Sequence, residues 1–263
     1  NQVPKRQQVQ TYSQTFRQQL GGQKLVLSVD RLDYSKGVLH RLKGFAAALE
    51  RYPELLEQFS LLMLLVPSRA TVPEYAELKK KIDQTIGELN GRYATPNWTP
   101  VHYYYRSFSP DRLMALYHVA DIALVTPLRD GMNLVAKEYV ASKRDQPGVL
   151  ILSERAGAAI ELTDALLVNP NDIEAIGDAI ATAVLMPEEE QLARLRRMQS
   201  LLARQNVDKW AADYIEALDN IRERNCVLHE ARIGEAHLQE LKRRYAAARK
   251  RLLILDYDGT LTP

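Results

Sequence analysis

The sequence has a single cysteine, Cys226, and no long apolar run. One cysteine cannot form a disulfide within the chain, so we expect a reducing, cytoplasmic compartment. The longest apolar stretch, residues 61–66, is far shorter than the roughly 20 residues that a membrane-spanning helix needs. No signal peptide is visible at the start. The sequence therefore predicts a protein without a membrane partner.

The sequence also lacks an excess of charge of either sign. The formal net charge is +2, and Lys and Arg are dispersed among Asp and Glu, so the charge pattern gives no support for a nucleic-acid partner. With 46% hydrophobic and 26% charged residues among 263, the composition is typical of a globular chain that can bury a core. Because the sequence starts at Asn1 and stops abruptly at Pro263, we expect it to be a piece of a longer protein.

The glycine-rich fingerprint of dinucleotide-binding folds is lacking as well. That fingerprint, G-x-G-x-x-G, follows the first strand, whereas Gly21 and Gly22 precede the first predicted strand. The loop after that strand carries Arg31 and Lys36 instead. An arginine fork can bind phosphate oxygens in pairs, and a lysine adds a point charge. Taken alone, however, this loop is better explained as a solvated basic surface.

Six short apolar runs alternate with stretches of helical periodicity. The apolar runs are bounded by turn residues and predict strands at residues 24–29, 60–66, 101–105, 122–125, 148–152 and 165–168. The periodic stretches predict helices at about residues 3–20, 38–51, 73–91, 110–118, 131–143, 157–162, 172–185, 187–204 and 206–224. This alternation predicts an α/β fold with a doubly wound, Rossmann-like parallel sheet covered on both faces.

The character of the sequence changes after Asn225. Residues 227–250 are charged and helix-prone, and a new apolar run begins at Arg251. We therefore predict four parts, which are a lead-in from an upstream domain at 1–23, a Rossmann-like domain at 24–225, a linking helix at 226–250 and the start of a further domain at 251–263.

The predicted site is organised around residues 130–138, DGMNLVAKE. The first turn of the helix predicted here should lie at the carboxyl edge of the sheet, where open α/β sheets bind ligands. Free N–H groups at a helix start suit a diphosphate, and Gly131 permits a close approach. Glu138 could accept hydrogen bonds from a ribose diol. An ordinary βα unit with a capping Asp130 and a solvated Glu138 explains the spacing equally well.

Two further residues follow predicted strands at the same edge. Arg69 follows the second strand and could bind a second phosphate, although a capping or surface role is about as consistent with its position. Phe108 follows the third strand, where its backbone could contact a base and its ring could equally belong to the core.

Four segments of the chain resemble trehalose-6-phosphate synthases, which are retaining glycosyltransferases built from two Rossmann-like domains (the GT-B fold). They are residues 29–37 (VDRLDYSKG), 67–69 (PSR), 98–100 (WTP) and 125–139 (VTPLRDGMNLVAKEY). The similarity runs in order from about Lys24 to Arg222 and is highly specific in the two longest segments. It implies that residues 24–225 are the carboxyl-terminal, nucleotide-sugar-binding half of a GT-B fold.

The resemblance also implies roles for the site residues. Arg31 and Lys36 would bind the diphosphate, and Asp130 would contact the donor glucose beside them. Glu138 would bind the ribose, and Arg69 would bind the phosphate of the acceptor. The rest of the implied donor site comprises Gly131, Met132, Asn133, Leu134, Val135 and Phe108.

The implied reaction moves glucose from a nucleotide sugar, typically UDP-glucose, to glucose 6-phosphate, with retention and with neither metal nor other cofactor. Synthases of this kind also have an amino-terminal domain that carries most of the acceptor site and a catalytic-site histidine. None of the five histidines here lies in a matching motif. We therefore expect the chain alone to bind the donor or UDP without turnover.

The tail carries a second resemblance. Residues 253–262 (LILDYDGTLT) are similar to the first motif of haloacid-dehalogenase-type phosphatases, as at the start of a trehalose-6-phosphate phosphatase domain. There, Asp256 would attack phosphorus with the help of Mg²⁺, and Asp258 would give a proton to the leaving oxygen. An Asp-rich turn is the alternative. Since the chain stops after this motif, we expect no phosphatase activity and assign Mg²⁺ only to a complete domain.

A second hypothesis is a catalytically silent, synthase-like module that regulates or scaffolds a trehalose-6-phosphate phosphatase. Arg31, Lys36, Asp130 and Glu138 favour an active site, because a silent module has no chemical need for all four. A GT-B transferase with a similar donor loop but another substrate is a more distant alternative.

Overall fold

The computed structural model describes residues 3–19, 22–68, 72–144, 146–205, 207–230 and 234–252. The chain forms two compact units, residues 1–205 and 206–263. The first contains a parallel sheet with its flanking helices. In the second, the described residues form α8 (Val207–Glu230) and α9 (Glu235–Ala247).

The sheet has six strands in the order β3-β2-β1-β4-β5-β6, and every neighbouring pair is parallel. The strands are β1 (Lys24–Arg31), β2 (Phe59–Val66), β3 (Val101–Tyr105), β4 (Ile122–Val125), β5 (Val149–Ser153) and β6 (Leu166–Val168). The chain runs outward from β1 to β3, then returns to β4 and runs outward the other way. This reversal opens a crevice at the carboxyl ends of β1 and β4, where doubly wound sheets bind ligands. The predicted doubly wound parallel sheet is confirmed.

Helices cover both faces of this sheet, and a separate hydrophobic core fills each face. The helices of the first unit are α1 (Val3–Gln19), α2 (Val38–Arg51), α3 (Pro73–Tyr93), α4 (Pro110–Val119), α5 (Leu134–Ser142), α6 (Ile173–Leu185) and α7 (Glu188–Arg204). Short 3-10 turns lie at Tyr34–Lys36, Pro53–Leu55 and Gly157–Ile160. Along β1, Val26 points into one core, while Leu25 and Leu27 point into the other, as the alternation of strand side chains requires. None of the described helices is long and apolar enough to cross a bilayer.

The start of α5 differs from its predicted position. The helix predicted to begin at Gly131 begins at Leu134. Asn133 adopts a left-handed conformation with φ of 80°, and its side-chain oxygen accepts a hydrogen bond from the N–H of Ala136 at 3.1 Å. Asparagine tolerates this conformation and is a favoured helix cap. Residues 131–133 therefore form a loop rather than a helical turn.

The boundary between the last two helices also differs. The helix predicted to end at Arg224 continues to Glu230, and the next helix begins at Glu235 rather than near Val227. Between Arg224 and Gly234 the sequence has neither glycine nor proline, so no residue there stops a helix strongly.

A buried lysine follows the last turn of α5. Lys143 is only 3% exposed, and its ammonium donates to the carbonyl oxygen of His118 at 3.0 Å. Burial lowers the pKa of Lys143 from 10.5 to about 8, although the charge of Asp121 opposes this shift. Between those two pH values the unfolded chain binds more protons than the folded one. The free energy of unfolding therefore increases as pH rises from about 8 to 10.5. This gain is lost again as pH falls across the same range to about 8.

Replacing this amine should remove that pH dependence. We expect the difference in free energy of unfolding between the wild type and Lys143→Met to change by about 2 kcal/mol, in favour of the wild type, from pH 7.5 to pH 10. Urea unfolding of both proteins at the two pH values measures it. Lys80→Met, an exposed position on α3, is the control and should track the wild type. A difference for Lys143→Met that stays constant with pH would contradict the prediction.

Candidate functional site

The loops that follow β1 and β4 are joined at the crevice. The carbonyl of Ser35 accepts hydrogen bonds from the N–H of Leu128 at 2.7 Å and of Arg129 at 3.3 Å. Gly37 lies under this junction with φ of 63°, and a Cβ there would come within 2.8 Å of the carbonyl oxygen of Thr126. Only glycine suits both the left-handed turn and this close approach. The two segments that the sequence assigned to one site therefore meet.

Lys36 and Asp130 form an ion pair across this junction. The Lys36 ammonium lies 2.6 Å from a carboxylate oxygen of Asp130, and their side chains are 15% and 16% exposed. Asn133 donates its amide to the same oxygen at 3.0 Å. Burial alone would raise the pKa of Asp130, but the hydrogen bond and charge of Lys36 outweigh it and hold that pKa below its usual value. Asp130 is thus a carboxylate at neutral pH, and the helix cap is Asn133 rather than Asp130.

Glu138 lies one turn beyond Leu134 on the same exposed face of α5. One of its carboxylate oxygens accepts a hydrogen bond from the hydroxyl of Tyr117 on α4 at 2.9 Å. Burial raises the pKa of Tyr117, and the bond to Glu138 raises it further, so the phenol stays a donor. The bond holds the carboxylate in place and leaves lone pairs for other donors. Tyr117 was missed from the sequence, where it is one more apolar-face residue of a helix.

The segment after β5 forms hydrogen bonds to the loop between β4 and α5. The N–H of Gly157 donates to the carbonyl of Asp130 at 3.0 Å, and the N–H of Ala158 donates to that of Met132 at 2.7 Å. A Cβ on Gly157 would lie 2.1 Å from the carbonyl oxygen of Gly131. Nothing in the spacing of the sequence pointed to this contact, because it joins two loops through backbone atoms.

A fully buried arginine lies beneath Lys36. Arg41, on α2, is 0% exposed and pairs with Asp30 of β1 at 2.5 Å. Burial raises the pKa of Asp30, and the charge and hydrogen bond of Arg41 oppose the rise. Arg41 was missed from the sequence. The one indication in the sequence is that this arginine lies in the apolar stripe of α2, one turn after Val38 and one turn before Phe45.

Other predicted residues lie around this centre. Arg31 ends β1 and is exposed, Met132 and Leu134 are 46% and 61% exposed, and a Cβ on Gly131 would have no atom within 4 Å. Val135 is half-buried on the first turn of α5 and packs against the core. These positions leave the start of α5 and the loop before it open at the crevice.

Phe108 is engaged in packing. Its ring lies 6.4 Å from that of Phe16 and 5.4 Å from that of Tyr104, and the guanidinium of Arg106 lies 5.3 Å from its centre. The ring is half-buried and packs against a hydrophobic core. Arg69, Asp256 and Asp258 lie outside the described residues. Within the ranges that the structure describes, no group of three or more His, Cys, Asp or Glu could hold a metal ion.

Residues 1–220 match the model of glycosyltransferase family 20. The chain belongs to this family. Among its relatives, a bifunctional trehalose-6-phosphate synthase/phosphatase of Thermoproteus tenax is 48% identical, over 94% of this chain and 34% of that protein. The UDP-forming α,α-trehalose-phosphate synthase A of Dictyostelium discoideum is 35% identical, over 97% of this chain and 35% of that protein. The chain thus spans about a third of the length of these two relatives.

Solved structures of proteins with related sequences share the fold. A UDP-forming α,α-trehalose-phosphate synthase from Burkholderia xenovorans, in complex with glucose-6-phosphate, is 42% identical with a TM-score of 0.76, and the match covers 78% of this chain and 46% of that one. An E. coli protein bound with UDP-2-fluoro glucose is 38% identical with a TM-score of 0.75, again over 78% and 46%. The resemblance to trehalose-6-phosphate synthases is therefore confirmed at the level of the family, and the chain is of the glycosyltransferase type.

Proposed function

We propose that the chain is the donor-binding half of a trehalose-6-phosphate synthase, which transfers glucose from UDP-glucose to glucose 6-phosphate with retention. The observation that carries the proposal is the Lys36–Asp130 pair at 2.6 Å, set where the strand order of the sheet reverses. A relative named as UDP-forming, and family structures with glucose-6-phosphate and with UDP-2-fluoro glucose, support these substrates.

The diphosphate of the donor would lie between Lys36, Arg31 and the start of α5. The N–H groups of Leu134 and Val135 have no partner within the helix, as in the first turn of any α-helix, whereas that of Ala136 is already capped. Together with the helix dipole, these groups suit an anion. When the bond from glucose C1 to the diphosphate oxygen breaks, the leaving group gains negative charge. The two cations would stabilise that charge.

The sugars and the base would lie on either side of the diphosphate. Asp130 and the loop of Gly131, Met132 and Asn133 would contact the donor glucose, because Gly131 and Met132 are exposed beside the ion pair and Asn133 donates to Asp130. Glu138, held by Tyr117, would accept hydrogen bonds from the ribose, and the backbone at Phe108 would contact the base. Arg69 would bind the phosphate of the acceptor.

The full reaction would need more than this chain. An upstream domain would supply the rest of the acceptor site, so the isolated chain would bind UDP or UDP-glucose without turnover, in the cytoplasm. Residues 251–263 would begin a phosphatase-type domain in which Asp256 and Asp258 act with Mg²⁺. The relative from T. tenax is named as a bifunctional synthase/phosphatase.

Calorimetric titration of the chain with UDP, GDP and ADP tests the donor site. We expect UDP to bind, and Arg31→Ala and Glu138→Ala each to weaken it by roughly tenfold, since each removes a charge-assisted hydrogen bond. Arg196→Ala and Glu189→Ala, exposed positions on α7, are matched controls and should bind as the wild type does. If no nucleotide binds, the donor site of the isolated chain is refuted. If the chain joined to an upstream synthase domain also fails to bind, the silent-module hypothesis is favoured.

A further inference from the structure

We propose that Arg41 is a positioning residue for sugar transfer, which holds the Lys36 loop in register with Asp130 without touching a substrate. The inference rests on the proposed function, because Lys36 is there assigned to the diphosphate. It concerns a side chain that is completely buried and lies behind the crevice rather than in it.

The guanidinium of Arg41 joins three pieces of the fold. One of its nitrogens donates to both Ser28 and Asp30 of β1, at 2.5 Å each. Its Nε donates to the hydroxyl of Thr126, the residue after β4, at 3.1 Å. Its remaining nitrogen donates to the backbone carbonyl of Lys36 at 3.1 Å. The planar fork of an arginine can reach all of these acceptors at once, which the point charge of a lysine cannot.

These contacts fix the origin of the Lys36 side chain. The carbonyl of Lys36 accepts a hydrogen bond from Arg41. The next residue, Gly37, lies so close to the carbonyl of Thr126 that a Cβ would come within 2.8 Å of its oxygen. The ammonium of Lys36 then spans to Asp130. Asp30, Arg41, Lys36 and Asp130 form a compact cluster of alternating charge, since the charges of the other three all act on the carboxyl of Asp30. A shift of the inner pair is thereby transmitted to the outer pair.

Stability alone is a poor explanation for an arginine at this position. A buried ion pair loses much of its attraction to desolvation, and apolar residues of similar size often replace such pairs without loss of stability. Arg41 also lies near the start of α2, where the positive end of the helix dipole disfavours a cation. Its advantage is geometric, because a reacting group displaced by about 1 Å can slow a reaction by roughly a hundredfold.

A double-mutant cycle on UDP binding tests the proposal. Arg41→Lys should weaken the binding of UDP by about tenfold. Thr126→Val is a milder change that keeps the Arg41–Asp30 pair, and it should weaken the binding of UDP by a smaller factor. In a Lys36→Met background, Arg41→Lys should have little further effect, since its influence passes through Lys36. Arg194→Lys is the matched control. Arg194 also donates to a carboxylate and a backbone carbonyl, but it lies on α7 near the amino end of β6, and the variant should bind UDP normally.

Hydrogen exchange of the nucleotide-free chain tests the positioning role of Arg41 separately from the proposed donor site. Arg41→Lys and Thr126→Val should speed exchange at residues 33–37 and 126–130 and leave α6 and α7 as protected as in the wild type. Unchanged UDP affinity in Arg41→Lys, or full additivity with Lys36→Met, would overturn the positioning role. If the wild type binds no nucleotide, the proposed function fails for this chain. Hydrogen exchange then tests the positioning role of Arg41 by itself. Faster exchange confined to residues 33–37 and 126–130 supports this role, and uniformly faster or unchanged exchange overturns it.

Discussion

Gly157→Ala should weaken the binding of UDP-glucose by at least roughly tenfold, although it adds only one methyl group. The new Cβ would lie 2.1 Å from the carbonyl oxygen of Gly131 and 2.8 Å from its carbonyl carbon. These are backbone atoms and cannot rotate away as a flexible side chain can. The loop of residues 131–133 must therefore move, and with it the contacts proposed for the donor glucose.

The same change should affect UDP much less than UDP-glucose, because the three atoms nearest to the new methyl group belong to Gly131 and Met132 and not to Lys36 or α5. Titration of the variant with both ligands gives this comparison. Gly87→Ala is the control, since a Cβ at that position in α3 would meet no atom within 4 Å; it should bind both ligands normally. Equal losses for UDP and UDP-glucose would show that the substitution disturbs the whole site and would refute the assignment of this loop to the sugar.

Gly44→Ala should destabilise the first unit by about 2 kcal/mol, although alanine is the better helix former by about 1 kcal/mol. Gly44 lies on α2 where this helix packs against α6. A Cβ there would come within 2.4 Å of Cγ2 and 2.7 Å of Cβ of Ile176. Ile176 is fully buried and β-branched, so its side chain has no second rotamer to adopt within the helix. The two helices must then move apart.

Urea unfolding of the variant measures this cost. Gly91→Ala, in α3, has open space around its Cβ position and should stabilise the protein by up to about 1 kcal/mol. In an Ile176→Ala background the penalty of Gly44→Ala should shrink by more than about 1 kcal/mol, because one of the two clashing groups is then removed. Equal penalties in both backgrounds would mean that Ile176 is not the obstacle.

Part of the candidate site followed from the sequence. Lys36, Asp130 and Glu138 were singled out because each follows a strand that ends at one edge of a parallel sheet. A position after a strand places a residue at this edge but does not set the distance between two such residues. The 2.6 Å contact between Lys36 and Asp130 joins residues that are 94 positions apart, and no local pattern encodes such a distance.

The misplaced start of α5 has a similar cause. Residues 131–143 contain good helix formers, so propensity favoured a helix from Gly131. Residues 131–133 instead form a loop, because Asp130 pairs with Lys36 and the carbonyl of Met132 accepts a hydrogen bond from the N–H of Ala158. Tertiary contacts to two other loops outweigh the local preference.

The sequence by itself determined the order of strands and helices, the parallel sheet and the family. Strands buried on both faces require continuous apolar runs, and amphipathic helices require a regular apolar stripe, so these elements are visible in one dimension. Only the tertiary structure decided the hold of Arg41 on Lys36, the bond from Tyr117 to Glu138 and the fit of Gly157 against Gly131. Each of these depends on two segments that are distant in sequence and adjacent in space, and packing and hydrogen-bond geometry exist only once the chain has folded.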